Sequence, residues 1–149
     1  MRRLKSATQT FLLDTNLFIS AIKHPRKQTG TLGLILHIIG EPTINLVGND
    51  LLVEEMARYA ELLTSETAAT ILHALIAKME IVNVQQNYLK ICKGYIETPD
   101  KADILHAATC LQTNAVLISN DHHFQKIRDE GIIKVWTAAE AIKNQVGSN

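Results

Sequence analysis

Short apolar runs alternate with longer segments of helical periodicity along the chain. The apolar runs predict five strands, at 11–13, 43–47, 81–84, 115–118 and 132–136. The segments between them predict helices at 15–23, 30–40, 49–64, 66–80, 85–97 and 100–114, then a short helix to residue 130 and a last helix after the fifth strand. Strands that alternate with helices in this way form parallel sheets. The pattern therefore predicts an α/β protein, a three-layer α/β/α sandwich around a central parallel five-stranded sheet.

Length and composition fit one domain. The chain has 149 residues, of which 46% are hydrophobic, with 7 glycines and 3 prolines. These values exclude the fibrous and disordered classes, and a core of this size needs no disulfide or structural metal. We expect a basic N-terminal tail at 1–10, a single domain at 11–145 and a disordered C-terminus at 146–149.

Neither a secretory signal nor a membrane span is expected. The longest apolar stretch, at 32–40, contains a histidine and is too short to cross a bilayer. Cys92 and Cys110 lie far apart within apolar patterns, as buried reduced thiols do. We expect a cytoplasmic protein.

The net charge is zero, but the charge is distributed unevenly. The first 30 residues hold six basic side chains and a single acid, whereas the rest of the chain has an excess of acids. A basic edge beside an acidic body suits an anionic substrate together with bound cations. Lys23, Arg26 and Lys27 are candidates for contacts with nucleic-acid phosphates, and a solvated loop is the alternative.

Two acids follow predicted strands directly. Asp14 ends the strand at 11–13, and Asp121 lies three residues beyond the strand at 115–118. Either residue alone is explained by capping of the next helix. If the two strands are neighbours, however, both acids lie in the crevice beyond the carboxyl ends of the sheet, where open α/β folds place their ligands.

Two further acids lie on helices and face the protein body. Glu55 lies at the flank of an apolar stripe, whereas Glu54 lies on the polar face. Asp103 is on the first turn of its helix, on the same row as Ala107 and Cys110. Its neighbour Asp100 has the position of the helix N-cap. Favourable placement near a helix N-terminus is the alternative explanation for Asp103.

Four carboxylates in one pocket would repel one another and raise each other's pKa values. A divalent cation removes that repulsion. Oxygen ligands without cysteine favour Mg²⁺ or Mn²⁺ over zinc. Such an ion polarises a phosphoryl oxygen and lowers the pKa of bound water, so the matching reaction is phosphodiester hydrolysis.

Four segments of the chain carry a family resemblance: FLLDTNLFISA (11–21), NDLLVEEMARY (49–59), DKADILHAATCL (100–111) and AVLISNDHHF (115–124). In order and spacing they resemble the PIN-domain nucleases, which include the VapC-type toxins of toxin–antitoxin pairs. The resemblance implies the strand order 3-2-1-4-5, an acidic pocket for Mg²⁺ or Mn²⁺, and cleavage of RNA. The positions that match the family's four acids are Asp14, Glu55, Asp103 and Asp121.

The resemblance also assigns supporting residues. Asn16 and Ser119 match polar residues that orient metal ligands and water, although serine replaces the more common threonine. Asn49 stands where the family usually has serine or threonine, and asparagine can still cap the following helix. His122 and His123 are not required features of the family; they are either exposed first-turn residues or substrate contacts.

These observations predict a metal-dependent endoribonuclease. Asp14 and Asp103 would hold the principal ion, with Asp121 and Glu55 completing the pocket, and Glu55 is a candidate general base. As a toxin, the protein would have a small antitoxin as its partner, and the apolar helices at 30–40 and 66–80 suggest a homodimer. A nuclease outside a toxin pair and a non-catalytic RNA- or protein-binding module are alternatives. A receiver-like phosphate switch would need Lys134 at the active edge.

Overall fold

A computed structural model describes residues 8–23, 30–97 and 100–146. Five strands alternate with helices in chain order. The strands are β1 (Gln9–Leu13), β2 (Ile44–Gly48), β3 (Met79–Ile81), β4 (Val116–Ile118) and β5 (Lys134–Trp136). The helices are α1 (Thr15–Lys23), α2 (Gly30–Gly40), α3 (Asp50–Leu63), α4 (Glu66–Lys78), α5 (Gln86–Lys93), α6 (Lys101–Thr113), α7 (Gln125–Asp129) and α8 (Ala138–Gln145), with a 3₁₀ turn at His122–Phe124 before α7.

All strands are parallel, in the order β3-β2-β1-β4-β5, which confirms the predicted fold and strand order. β1 lies in the middle of the sheet, between β2 and β4. Phe11, Leu12 and Leu13 are therefore fully buried, since helices cover the sheet. This double burial is the reason that β1 reads as a continuous apolar run.

Several element boundaries differ from the predictions. β3 begins at Met79 instead of residue 81; Met79 pairs with Leu46, and its side chain packs against Gly48, where a Cβ would displace it. α5 ends at Lys93 instead of residue 97, with Gly94 at its C-cap. β5 starts at Lys134, and β1 starts at Gln9, two positions inside the predicted basic tail.

Polar caps fix the starts of the two helices that carry the helical acids. The Asn49 side chain accepts a hydrogen bond from Leu52 N at 2.8 Å, as predicted for the start of α3. Asp100 accepts one from Ala102 N at 2.9 Å and caps α6. Because Asp100 performs the capping, the carboxylate of Asp103 on the first turn of α6 is available for other contacts.

The apolar helices use most of their apolar surface inside the domain. α2 packs against α1, α4 and α8, and Leu36 is its exposed large apolar side chain, at 52%. Cys92 and Cys110 are buried free thiols, as predicted. Within the described part of the chain, none of the helices combines the length and the apolar character needed to span a membrane. The homodimer remains a prediction.

Candidate functional site

The carboxyl ends of β1 and β4 lie side by side. Leu13 is paired with Ile118, and Asp14 N donates a hydrogen bond to Ile118 O at 3.0 Å. The Ser119 hydroxyl then donates to Asp14 Oδ2 at 2.6 Å, and accepts a hydrogen bond from Asp121 N at 3.0 Å. One serine therefore joins the two strand-end acids that the sequence placed in this crevice.

Asp103 reaches the same edge from α6 and is 8% exposed. Its Oδ2 lies 3.1 Å from Nδ1 of His123, and the same nitrogen lies 3.3 Å from Asp121 Oδ1. The backbone N–H of His123 also donates to Asp121 Oδ1, at 2.9 Å, which fixes the turn. The neighbouring His122 side chain is 88% exposed, as expected for a solvent-facing first-turn residue.

Glu55 faces the protein body and Glu54 is exposed, as the helical phase predicted. One oxygen of Glu55, Oε1, is held from two sides. Thr15 Oγ1, on α1 directly after Asp14, donates to it at 3.0 Å, and His106 Nε2, on α6, lies 3.1 Å away. These two contacts link α3 to α1 and α6, the helices that border the sheet edge where Asp14, Asp103 and Asp121 lie. We call this edge the acidic edge.

A buried asparagine determines which nitrogen of His106 carries the proton. Asn49 Oδ1 accepts from Leu52 N, so its amide nitrogen is the atom that faces His106 Nδ1, at 3.1 Å, and Thr109 Oγ1, at 2.9 Å. An amide N–H₂ only donates hydrogen bonds, so His106 Nδ1 must accept. The proton then lies on Nε2, which donates to the carboxylate of Glu55.

The surroundings raise the pKa of Asp14. Burial is the main cause, because the charged form loses water, and the nearby carboxylates of Asp121 and Glu55 add to the rise. The hydrogen bond from Ser119 acts in the opposite direction. Asp14 is thus a buried carboxylate whose charge the protein alone does not fully compensate.

The pKa of Asp103 is also raised. Burial raises its pKa from 3.8 to about 6, and the negative charges of Asp100, Asp121 and Asp14 contribute, whereas the hydrogen bond with His123 lowers it. That hydrogen bond is also the main cause of a raised pKa at His123. The two partners therefore stabilise each other's charged forms.

The pKa of Glu55, in contrast, is lowered. Desolvation raises its pKa, but the hydrogen bonds from His106 and Thr15 outweigh this effect, and the resulting pKa lies below the ordinary value. The side chain is 22% exposed and stays ionised at neutral pH. A carboxylate with a lowered pKa is a weak general base, but because it stays ionised it can bind a cation or accept a hydrogen bond from water.

The acidic edge fits a divalent cation. Its donors are carboxylate oxygens directly after β1, on α6 and in the turn after β4, and among the described residues no lysine or arginine forms an ion pair with Asp14, Asp103 or Asp121. Hard oxygen donors with excess negative charge are the ligands that Mg²⁺ and Mn²⁺ prefer. Asp121, His122 and His123 have ligand atoms within 4.8 Å of one another, and Asp103 and Asp14 adjoin this group as candidate ligands.

The other predicted residues lie at varied distances from this edge. Asn16 is exposed, two residues after Asp14. Lys23 is exposed at the far end of α1, about 12 Å along the helix from its start. Arg26 and Lys27 lie outside the described residues. Lys134 pairs with Val116 at the start of β4, so it lies at the opposite edge of the sheet, which removes the basis for a receiver-like switch.

Sequence reasoning missed some of the hydrogen-bond partners of the acids, although Ser119 was predicted as a supporting residue. Thr15 was not singled out, and Asn49 was interpreted as a cap alone, although its amide nitrogen also contacts His106. His106 lies three residues after Asp103 on one face of α6, a spacing that predicts a hydrogen-bonded helix residue, and its contacts with Asn49 and Glu55 confirm this. Contact of His123 with two acids depends on the 3₁₀ turn, which no sequence pattern indicated.

Removal of the charge on Asp103 is expected to stabilise the metal-free protein. A carboxyl group whose pKa is raised by folding costs stability as the pH rises from 3.8 to about 6, and the full cost remains at neutral pH. Asp103→Asn should therefore increase the free energy of unfolding at neutral pH in EDTA by on the order of 1 kcal/mol, or roughly 2–4 °C in melting temperature.

The measurement is thermal unfolding by circular dichroism across this pH range, with Glu54→Gln as the exposed control. The difference between Asp103→Asn and the wild type should disappear below the ordinary pKa of 3.8. A variant that melts below the wild type at neutral pH would show that the ionised side chain is stabilising, contrary to this account.

Comparisons with known proteins agree with the fold. One chain of the VapBC2 structure from Rickettsia felis, bound to a DNA fragment from their promoter, is similar with a TM-score of 0.63 at 15% identity, covering 87% of this chain and 98% of that chain. VapBC-1 from nontypeable Haemophilus influenzae is similar with a TM-score of 0.59 at 20% identity, and the match covers 88% of this chain and 99% of that chain. FitAcB from Neisseria gonorrhoeae is similar with a TM-score of 0.59 at 18% sequence identity, and the match covers 87% of this chain and 98% of that chain. A comparison with curated proteins found no match. The PIN domain family model matches residues 11–130, most of the chain, and the protein therefore belongs to the PIN domain family.

Proposed function

We propose that this protein is a metal-dependent endoribonuclease that hydrolyses RNA phosphodiester bonds with Mg²⁺ or Mn²⁺. The observation that carries the proposal is the meeting of Asp14, Asp103 and Asp121 from three separate segments at one edge of the sheet. The membership of a family of nucleases supports the reaction class. The choice of RNA and of these metals goes beyond that membership.

Each acid has a distinct part in the proposed reaction. Asp14 and Asp103 would hold the principal ion and Asp121 would complete its ligands, with the Ser119 hydroxyl fixing the rotamer of Asp14. An ion held there would supply Lewis-acid polarisation of the scissile phosphate and would lower the pKa of a water molecule. Glu55 stays ionised and accepts a hydrogen bond from the attacking water, so it orients the oxygen towards phosphorus.

A groove near the first turn of α6, the helix that carries Asp103, has a mainly basic border. It has a volume of about 820 Å³ and lies between α5 and α6, with Ile104, the neighbour of Asp103, in its lining. Three lysines and one acid border it: Lys90, Lys93, Lys101 and Glu97. Lysines of this kind contact phosphates without reading sequence, which suits an RNA strand that continues away from the cleaved bond.

We further propose that the protein is the toxin of a toxin–antitoxin pair. The similar structures include VapBC2 bound to promoter DNA and VapBC-1, and these likenesses support a small antitoxin protein as partner. The antitoxin would lay a peptide across the acidic edge and block it. A short open reading frame directly upstream of the gene is the expected genomic arrangement, and an RNA-processing role outside a toxin pair is the alternative.

Loss of one carboxylate should abolish cleavage without unfolding the protein. Asp14→Asn and Asp103→Asn keep the size of the side chain but remove the charge that holds the ion. Both variants should lose cleavage of a labelled single-stranded RNA in Mn²⁺ or Mg²⁺, while circular dichroism shows the wild-type fold. Wild-type cleavage should stop in EDTA.

Glu54→Gln is the matched control, since Glu54 is exposed on the same helix as Glu55. It should cleave as the wild type does. Full activity in either aspartate variant would reject the assignment of the site. Retention of RNA in a gel-shift experiment without cleavage in any divalent metal would favour a non-catalytic binding module.

The His106 donor should matter for turnover more than for substrate binding. His106→Phe fills the buried space but cannot donate to Glu55 Oε1, so the carboxylate loses one of its two anchors. We expect kcat to fall roughly tenfold, as for partners of ligating residues in general, with KM for RNA little changed. His106→Gln offers an amide N–H near the position of Nε2 and should recover most of kcat.

Melting temperatures separate this role from a general effect on stability. A purely structural histidine would give variants with lowered melting temperature but wild-type kcat for the folded fraction. Equal kcat in His106→Phe, His106→Gln and the wild type would therefore contradict the positioning role.

A further inference from the structure

His123 occupies a position that neither the sequence nor the proposed reaction explains. Its Nδ1 lies 3.1 Å from Asp103 Oδ2 and 3.3 Å from Asp121 Oδ1, so one nitrogen faces two of the three acids at the edge. The side chain is 31% exposed, and the N–H of its own backbone is bonded to Asp121 Oδ1. The imidazole is thus held towards the acids by a fixed turn.

The two spacings at His123 Nδ1 match those of ligands on a single ion, and the ligand atoms of Asp121, His122 and His123 lie within 4.8 Å of one another. Ligands about 2.1 Å from a divalent cation lie about 3 Å apart when they occupy adjacent octahedral positions. The two N···O distances, 3.1 and 3.3 Å, are close to this value.

We propose that His123 Nδ1 is a direct ligand of the ion held by Asp103 and Asp121, and that this nitrogen makes the site prefer Mn²⁺ to Mg²⁺. The proposal rests on the metal site of the proposed function. Mg²⁺ is a hard cation that binds oxygen ligands and retains its water, whereas imidazole nitrogen suits the transition metals. A site of carboxylates alone would discriminate less between these two ions.

The neighbouring histidine provides an internal control. The His122 side chain is 88% exposed, and its Nδ1 lies 3.9 Å from Asp121 Oδ1, beyond hydrogen-bond distance. His122 shares the turn with His123 and lies near Asp121, and the two imidazole rings are in edge contact with their centroids 4.7 Å apart. A loss of ligand that is specific to position 123 is therefore distinguishable from a change in the charge or fold of the turn.

Pulsed electron paramagnetic resonance of bound Mn²⁺, without RNA, tests the ligand directly. The wild-type protein should show magnetic coupling between Mn²⁺ and a histidine ¹⁴N nucleus, and ¹⁵N-histidine labelling should replace it with ¹⁵N coupling. His123→Asn, which offers an amide oxygen near the position of Nδ1, should lose the coupling. His122→Asn should keep it.

Calorimetric titration with each metal alone tests the preference. His123→Asn should lower the affinity for Mn²⁺ by about tenfold or more, with a much smaller change for Mg²⁺, so that the ratio of the two affinities falls. His122→Asn should leave both affinities unchanged. These measurements require no enzymatic activity.

The outcomes also separate this proposal from the proposed function. If wild-type protein binds Mn²⁺ without nitrogen coupling, or if the coupling persists in His123→Asn, His123 is not a ligand while the carboxylate site stands. If the wild-type protein binds neither metal and Asp103→Asn behaves identically, the metal site and the proposed nuclease both fail.

Discussion

Repulsion between buried carboxylates is the constraint on which the active edge of this protein depends. β1 and β4 are adjacent parallel strands, so the acids that follow them must share one crevice. α6 adds Asp103 to the same place, and burial together with like charge raises the pKa values of Asp14 and Asp103. A cation at this edge would reduce the repulsion between the carboxylates that the fold brings together.

The polar groups around the acids divide the edge into two parts. On the side of Glu55, the hydrogen bonds from Asn49 to His106 and from His106 to Glu55 supply a fixed donor, which keeps this carboxylate ionised and in one orientation. On the side of Asp103 and Asp121, the partner is His123, whose nitrogen lies at the distances expected of a ligand. The first arrangement suits the orientation of water, and the second suits the binding of an ion.

The sequence predicted the sheet and the acids well, because both depend on local patterns. Buried central strands such as β1 are continuously apolar, and the helical phase separates Glu55 from Glu54. The boundaries of β3 were wrong because they are set by its pairing with β2, which is distant in sequence. The contact of Asn49 with His106 was missed for the same reason. Asn49 meets His106 only after α3 and α6 have packed together.

Anomalous X-ray scattering from a crystal soaked in Mn²⁺ tests the central claim most directly. The account predicts a manganese peak at the edge of the sheet, within coordination distance of carboxylate oxygens from both Asp14 and Asp103. The absence of a peak there in well-occupied crystals, or Mn²⁺ bound elsewhere while these two carboxylates keep their metal-free contacts, would contradict it.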